Sequence, residues 1–369
     1  MLSFTLKAFI SFVAVILCYE AYSFHSSGWR EFSHPLADVL HKVSSSPPLL
    51  HSYGGNECLP SLSPSLILEL KTIRTACQKS PLYPLQSSSA RMGTVTAHFG
   101  SPQEHYQKAL ETHLLHSLVH DTSLKVMCSP IIDDLWNKPA FILSILLEEM
   151  IKPAEERLEW IFWVDRDTLI LDQCRSLSSF LPLKEGFIQY DQHSDSGGDV
   201  VRKEDKVSAD DDETHLLVTN DWNGLNNGVF LVRVNQWAIE LFSDIVAFRH
   251  YKPNVSLPFT EQSAMEITMN EPKFRRNVQL VPQEWFNTYP KGSPTEFEEK
   301  DNEEDLEVYH ARRGDFLLHF AGRSGKDRLI NEWVKMLERR RSPWQPEQVQ
   351  RNVIPSILAF WTKLGYSAY

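Results

Sequence analysis

Residues 158–167 read LEWIFWVDRD, and every position from Trp160 to Val164 is apolar. A strand with one wet face alternates polar and apolar side chains. A strand that is apolar throughout is covered on both faces, as inside a mostly parallel sheet with helices above and below. Asp165 and Asp167 follow this strand directly. Ligands of open α/β sheets bind beyond the carboxyl ends of the strands, so both carboxylates stand at the ligand edge. Two carboxylates one residue apart beside a buried strand are unfavourable unless a positive group lies with them. A divalent cation that also takes phosphate oxygens resolves the conflict, and Mn²⁺ or Mg²⁺ suits such a set. The competing reading of an isolated Asp-x-Asp is a solvated turn or helix cap.

Outward from this strand, strands and helices alternate. GTVTAHFG (Gly93–Gly100) predicts a strand and Tyr106–Asp121 a helix; SLKVMCS (Ser123–Ser129) predicts a second strand and Pro139–Ile151 a buried helix. Acidic stretches at Asp191–Thr214 and Ser293–Glu307 are read as exposed loops. Between them lie LLVTND, NNGVFLVR and a helix over Gln236–His250. DFLLHFAGR (Asp315–Arg323) closes the core, followed by a helix over Asp327–Arg341. In the tail, Ile354, Ile357, Leu358, Trp361 and Leu364 have helical spacing. The order predicts an α/β fold, a mostly parallel sheet with helices on both faces.

The chain has 369 residues, 42% of them hydrophobic, enough for one large globular domain. A net charge of −11 argues against a nucleic-acid partner. The one basic run, Arg339–Arg341, ends a helical pattern where cations are favoured. Residues 1–22 are read as a signal-anchor or signal peptide around the apolar run Ala8–Tyr19. Residues 23–90, rich in Ser, Pro and His, are read as a stem with one short helix near Leu66–Cys77. The core is assigned to 91–341 and a C-terminal packing helix to 342–369. Both N-terminal readings send the chain into the secretory pathway, and the sequon Asn254-Val255-Ser256 agrees with that compartment. Cys58, Cys77, Cys128 and Cys174 suffice for two disulfides there. Neighbour pairing, Cys58 with Cys77 and Cys128 with Cys174, is the expectation, against the alternative that some are buried small hydrophobes.

Taken in order, WIFWVDRD, LNNGVFLVRVNQW, FTEQSA and HFAG resemble the motifs of the family-34 glycosyltransferases, over roughly Gly93 to Glu338. These are fungal galactosyl- and mannosyltransferases of the Golgi, with the plant xyloglucan xylosyltransferases as relatives. The resemblance implies a GT-A fold and a retaining hexosyltransferase that moves galactose or mannose from UDP-galactose or GDP-mannose to a glycan. It implies a type II Golgi membrane protein, held through the N-terminal segment with its catalytic domain in the lumen. It also implies Mn²⁺ bound by Asp165, Asp167 and a later histidine, here His319, whose imidazole suits that ion.

Further roles rest on the same resemblance. Lys138 in WNKPAFI is expected near the donor diphosphate, the competing reading being a solvated lysine before a helix. Thr96 and Ala97 match the nucleotide-receiving part of the fold. Asn226, Asn227 and Gly228 match an Asn-x-Gly element that contacts donor or acceptor; locally, Asn-Gly also fits a hairpin turn. Glu261 and Gln262 stand where the family has an Asp-Gln pair, and Glu261, Gln262 and Asp221 are the candidate catalytic residues. Three departures stand out: Arg166 between the aspartates, Glu261 for Asp, and Arg323-Ser324 after HFAG, where Lys326 or Arg323 would supply the missing charge. Arg166 and the altered surroundings of HFAG favour an alternative, a non-catalytic subunit that keeps the fold within a glycosyltransferase complex.

Overall fold

The computed structural model describes residues 49–60, 64–79, 90–182, 213–299, 306–339 and 351–366. The N-terminal apolar segment, residues 191–212 of the first acidic stretch and Arg340–Arg341 lie outside these residues. No helix among the described residues is long and apolar enough to cross a membrane.

Nine strands are present among the described residues: β1 (Leu50–Tyr53), β2 (Met92–Ala97), β3 (Ser123–Met127), β4 (Trp160–Val164), β5 (Thr168–Ile170), β6 (Leu216–Asp221), β7 (Gly224–Arg233), β8 (Val278–Leu280) and β9 (Leu317–His319). Seven form one sheet in the order β1-β3-β2-β4-β7-β6-β8. The β1–β3, β3–β2, β2–β4 and β6–β8 pairs are parallel, whereas β7 is antiparallel to both its neighbours. The expected mostly parallel α/β sheet is therefore present, with β4 near its centre.

Every side chain of β4 is buried, and the two faces of the strand enter different cores. Ile161 and Trp163 pack with Phe141, Ile142, Leu241 and Phe242, from helices α3 (Asn137–Met150) and α4 (Gln236–Tyr251). Trp160, Phe162 and Val164 pack with Phe180, Phe286, Ile357 and Trp361. The last two belong to the tail helix Ile354–Lys363, and the Trp361 indole N–H donates to the Phe180 carbonyl at 3.1 Å. The unbroken apolar run of β4 thus has its physical cause in cover on both sides.

The segment expected to be stem enters the domain. Leu50–Tyr53 pairs in parallel with β3 at the sheet's edge, and helix α1 (Pro64–Gln78) packs by Leu66 and Ile73 against Leu110, Leu114 and Leu118 of α2 (Glu104–His120). The disulfides correct the expected pairing: Cys58 joins Cys128 and Cys77 joins Cys174. Neighbour pairing fails because α1 puts Cys77 beside the loop after β5, while Cys58 follows the edge strand whose partner, β3, leads into Cys128. The two bridges span 70 and 97 residues. Replacing Cys77 and Cys174 by serine is expected to cost about 4–5 kcal/mol by the chain-entropy account, read as a lower denaturant midpoint. The second acidic stretch also differs from expectation, since Pro294–Glu299 is helical (α5 and α6 being Glu261–Met269 and Pro294–Glu299). Asn254 of the sequon is exposed in the turn after α4.

Candidate functional site

The site begins where β4 ends. Asp165 continues the β4–β7 ladder, its N–H donating to the Gly228 carbonyl at 2.8 Å. At Thr168 the chain enters β5, which pairs antiparallel with β9 so that Thr168 faces His319. The Phe320 N–H donates to the Asp167 carbonyl at 3.0 Å. A strand 150 residues downstream is thereby laid against the aspartates, and one ligand atom each from Asp165, Asp167 and His319 fall within 4.8 Å of one another.

His319 is buried, and burial pushes its pKa below the ordinary histidine value, against the pull of Asp167 and Asp165. The imidazole is therefore neutral. Its tautomer follows from a chain of amides anchored on a carboxylate. Asp221 only accepts, so the Asn226 amide nitrogen faces it at 3.2 Å and the Asn226 oxygen faces the Asn287 nitrogen at 3.0 Å. The Asn287 oxygen then accepts from His319 Nδ1–H at 2.8 Å. That leaves the Nε2 lone pair on the side of Asp167, 3.7 Å from its Oδ1.

Charge around the trio is unevenly matched. Lys138, at the start of α3, is half-buried and reaches Asp165 Oδ1 at 3.0 Å, Glu261 Oε1 at 3.4 Å and the Asn227 side-chain oxygen at 2.9 Å. Burial disfavours its ammonium, but Asp165 and Glu261 outweigh that and raise its pKa. Lys326, opening helix α7 (Lys326–Arg339), meets Asp167 Oδ2 at 2.5 Å. Burial works against the Asp167 charge, yet the Lys326 ammonium and its hydrogen bond favour it, and the pKa lies below the usual carboxylate value. Three carboxylates, Asp165, Asp167 and Glu261, thus face two ammonium groups. Glu261, in the first turn of α5, is pushed up by burial, and its Oε2 is buried without a hydrogen-bond partner. Its neighbour Gln262 accepts from the Asn227 N–H at 3.1 Å. Two carboxylates and a directed imidazole lone pair, with ligand atoms within 4.8 Å of one another, fit a divalent cation.

Asn226, Asn227 and Gly228 lie inside strand β7, not in a hairpin turn; the turn is Asp221–Gly224. Gly228 serves a close approach and not a left-handed backbone: a Cβ there would stand 2.2 Å from His319 Cε1. Sequence reasoning missed Asn287 and Tyr289. Tyr289 donates to Asp221 Oδ2 at 2.7 Å and accepts from Asn226 at 2.6 Å, and burial with the Asp221 charge pushes its hydroxyl pKa upward. The available signal was polar Asn287-Thr288 directly after the apolar Trp285-Phe286, too short to stand out as a motif.

A family model described as the galactosyl transferase GMA12/MNN10 family matches residues 126–327, more than half of the chain and all of the trio. The chain belongs to that family. It is 27% identical over 247 residues to an uncharacterized alpha-1,2-galactosyltransferase of Schizosaccharomyces pombe, covering 64% of this chain and 68% of that protein. It is 25% identical to the probable alpha-1,6-mannosyltransferase MNN10 of Saccharomyces cerevisiae, covering 44% of this chain and 41% of that one. Among solved structures it is similar to a glycosyltransferase involved in glycosylation of the major capsid of PBCV-1, at 14% identity and TM-score 0.42, covering 65% of this chain and 98% of that one.

Arg166, which stands between the two aspartates, is directed away from them. Its guanidinium stacks over the Tyr106 ring of α2, 4.3 Å from the centroid, and so leaves the space between the aspartates. Of the two cations offered after HFAG, Lys326 reaches Asp167, while Arg323 is exposed. Thr96 and Ala97 end β2 beside the end of β4, Thr96 in register with Val164. The Thr96 hydroxyl is buried without a hydrogen-bond partner, and no hydrogen bond links either residue to the trio among the described residues.

Proposed function

We propose that this chain is a Mn²⁺-dependent retaining hexosyltransferase of the Golgi lumen, moving galactose or mannose from UDP-galactose or GDP-mannose to a glycan acceptor. The observation that carries this reading is the convergence of Asp165, Asp167 and a neutral, directed His319 in a chain of the GMA12/MNN10 family. Asp165, Asp167 and His319 would hold the cation, which supplies Lewis-acid neutralisation of charge on the departing diphosphate. Lys138 and Lys326 flank the aspartates and offer ammonium groups to the diphosphate oxygens. The acceptor hydroxyl oxygen bonds to the anomeric carbon from the face on which the bond from that carbon to the diphosphate oxygen breaks, which retains configuration, and the hydroxyl proton passes to the departing diphosphate oxygen. Glu261 and Gln262, fixed against Asn227, line the reaction centre, and Asp221 stands at its other margin. Thr96 and Ala97 form the edge that receives the nucleotide.

The two features that favoured a non-catalytic subunit lose their force: Arg166 is turned onto Tyr106, and Lys326 restores a cation beside Asp167. The deciding experiment is turnover of UDP-galactose and GDP-mannose by the lumenal fragment with Mn²⁺. A fragment that neither binds nor hydrolyses either donor defeats the enzymatic reading.

Asn287 gives a further test of the ligand set. Asn287→Ala removes the acceptor that fixes His319 Nδ1–H and so frees the ring's orientation. Mn²⁺ affinity, titrated by electron paramagnetic resonance, is expected to fall about 10–100-fold. Unchanged affinity would exclude His319 as a ligand oriented from Asn287.

A further inference from the structure

The turn Asp221-Trp222-Asn223-Gly224 at the carboxyl end of β6 carries an indole that is 67% exposed. Trp222 contributes little to the core, yet it is not loose. Its ring packs edge-to-face near Tyr289, 5.5 Å between centroids, and Tyr309, 5.3 Å. The backbone holds Tyr309 in place: the Tyr289 N–H donates to its carbonyl at 2.8 Å, and the Ala311 N–H donates to the Tyr289 carbonyl at 2.9 Å. The turn is equally fixed. Asp221 Oδ1 accepts from the Asn223 N–H at 2.7 Å, and Glu266 accepts from the Leu225 N–H at 3.1 Å. Gly224 has φ +102°, a conformation that glycine alone adopts without strain.

The result is a preset aromatic platform with a polar rim. Asp221 Oδ2 stands beside it, held in place by the buried Tyr289 hydroxyl and Asn226 amide. It is continuous with the trio, because the Tyr289 and His319 rings are 5.8 Å apart. A pyranose ring presents an apolar C–H face and a rim of hydroxyls, and such a ligand needs an aromatic face bordered by a few oriented polar groups. The Asp221 carboxylate on this side of the platform suits neutral hydroxyls and repels an acidic sugar.

We propose that Trp222, supported by Tyr309, is the platform on which the acceptor lies, and that this acceptor is a neutral hexose oligosaccharide. The assignment rests on the transfer reading above for the word acceptor, though not for glycan binding itself. The test is an array of neutral manno-, galacto- and gluco-oligosaccharides alongside sialylated and sulfated ones, followed by calorimetric titration with the strongest ligand. Wild type is expected to bind neutral members only. Trp222→Ala is expected to weaken binding about tenfold or more and Trp222→Phe only about threefold. Tyr251→Ala, an exposed aromatic at the end of α4, serves as the control and is expected to bind as wild type. Thermal shift with Mn²⁺ and UDP-galactose or GDP-mannose separates the two sides of the site, because loss of acceptor affinity with donor affinity retained is not what general unfolding produces. If Trp222→Ala binds as wild type does, or if wild type binds no neutral oligosaccharide, the platform is wrong. If glycan binding depends on Trp222 but no donor is bound or hydrolysed, the platform stands and the transfer reading falls.

Discussion

Asp167→Asn is expected to lower sugar transfer about 10³-fold, the loss of some 4 kcal/mol of transition-state stabilisation. The substitution keeps the volume of a buried side chain and removes only its charge. Asp167 is 5% exposed, meets Lys326, which depends on that charge, at 2.5 Å, and stands 3.7 Å from His319. An amide at this position leaves Lys326 facing a neutral partner and takes one of two anionic ligands from the trio. The accompanying change is a loss of the thermal shift that Mn²⁺ with donor gives wild type, since a cation that no longer binds the native state no longer stabilises it. Asp165→Asn is expected to act in the same direction, with Lys138 as the ammonium left behind. If either variant turned over like wild type, that carboxylate would not be a ligand, whatever its place in the fold.

Gly228→Ala is expected to be nearly as damaging, for a steric reason. A Cβ on Gly228 would lie 2.2 Å from His319 Cε1 and 2.9 Å from its Nε2, with Asn226 Oδ1 at 3.1 Å. Neither side can give way cheaply. Gly228 is held in the ladder by its carbonyl to Asp165 N–H, and His319 by its backbone to Thr288 and its ring to Asn287. The added methyl therefore displaces the imidazole from the aspartates. A misplacement of about 1 Å at a reacting centre costs on the order of 10²-fold in rate, and overpacking adds about 1–3 kcal/mol of destabilisation. Activity and thermal midpoint measured together check this. A variant that folds, keeps Mn²⁺ affinity and retains full turnover would show that His319 is not needed where it stands.

Much of this was legible in the chain because it is encoded locally. The apolar run of β4 reported burial on both faces by composition alone, and Asp165 and Asp167 follow it without interruption. Helices such as Gln236–Tyr251 and Ile354–Lys363 announced themselves by periodicity. The motif order pointed to His319, and the β5–β9 pairing brings it to the aspartates.

What the sequence by itself determined is the alternation of elements, the double-faced burial of β4 and the residue types available at its end, since each depends on neighbours within a few positions. Only the tertiary structure decided which distant groups meet. It joined Cys58 to Cys128 and Cys77 to Cys174, brought Leu50–Tyr53 into the sheet, turned Arg166 onto Tyr106 and set Asn287 behind His319. Those contacts span from 32 to 97 residues, and no local pattern reports them. They follow from how the sheet orders its strands and from the need of each buried polar group for a partner.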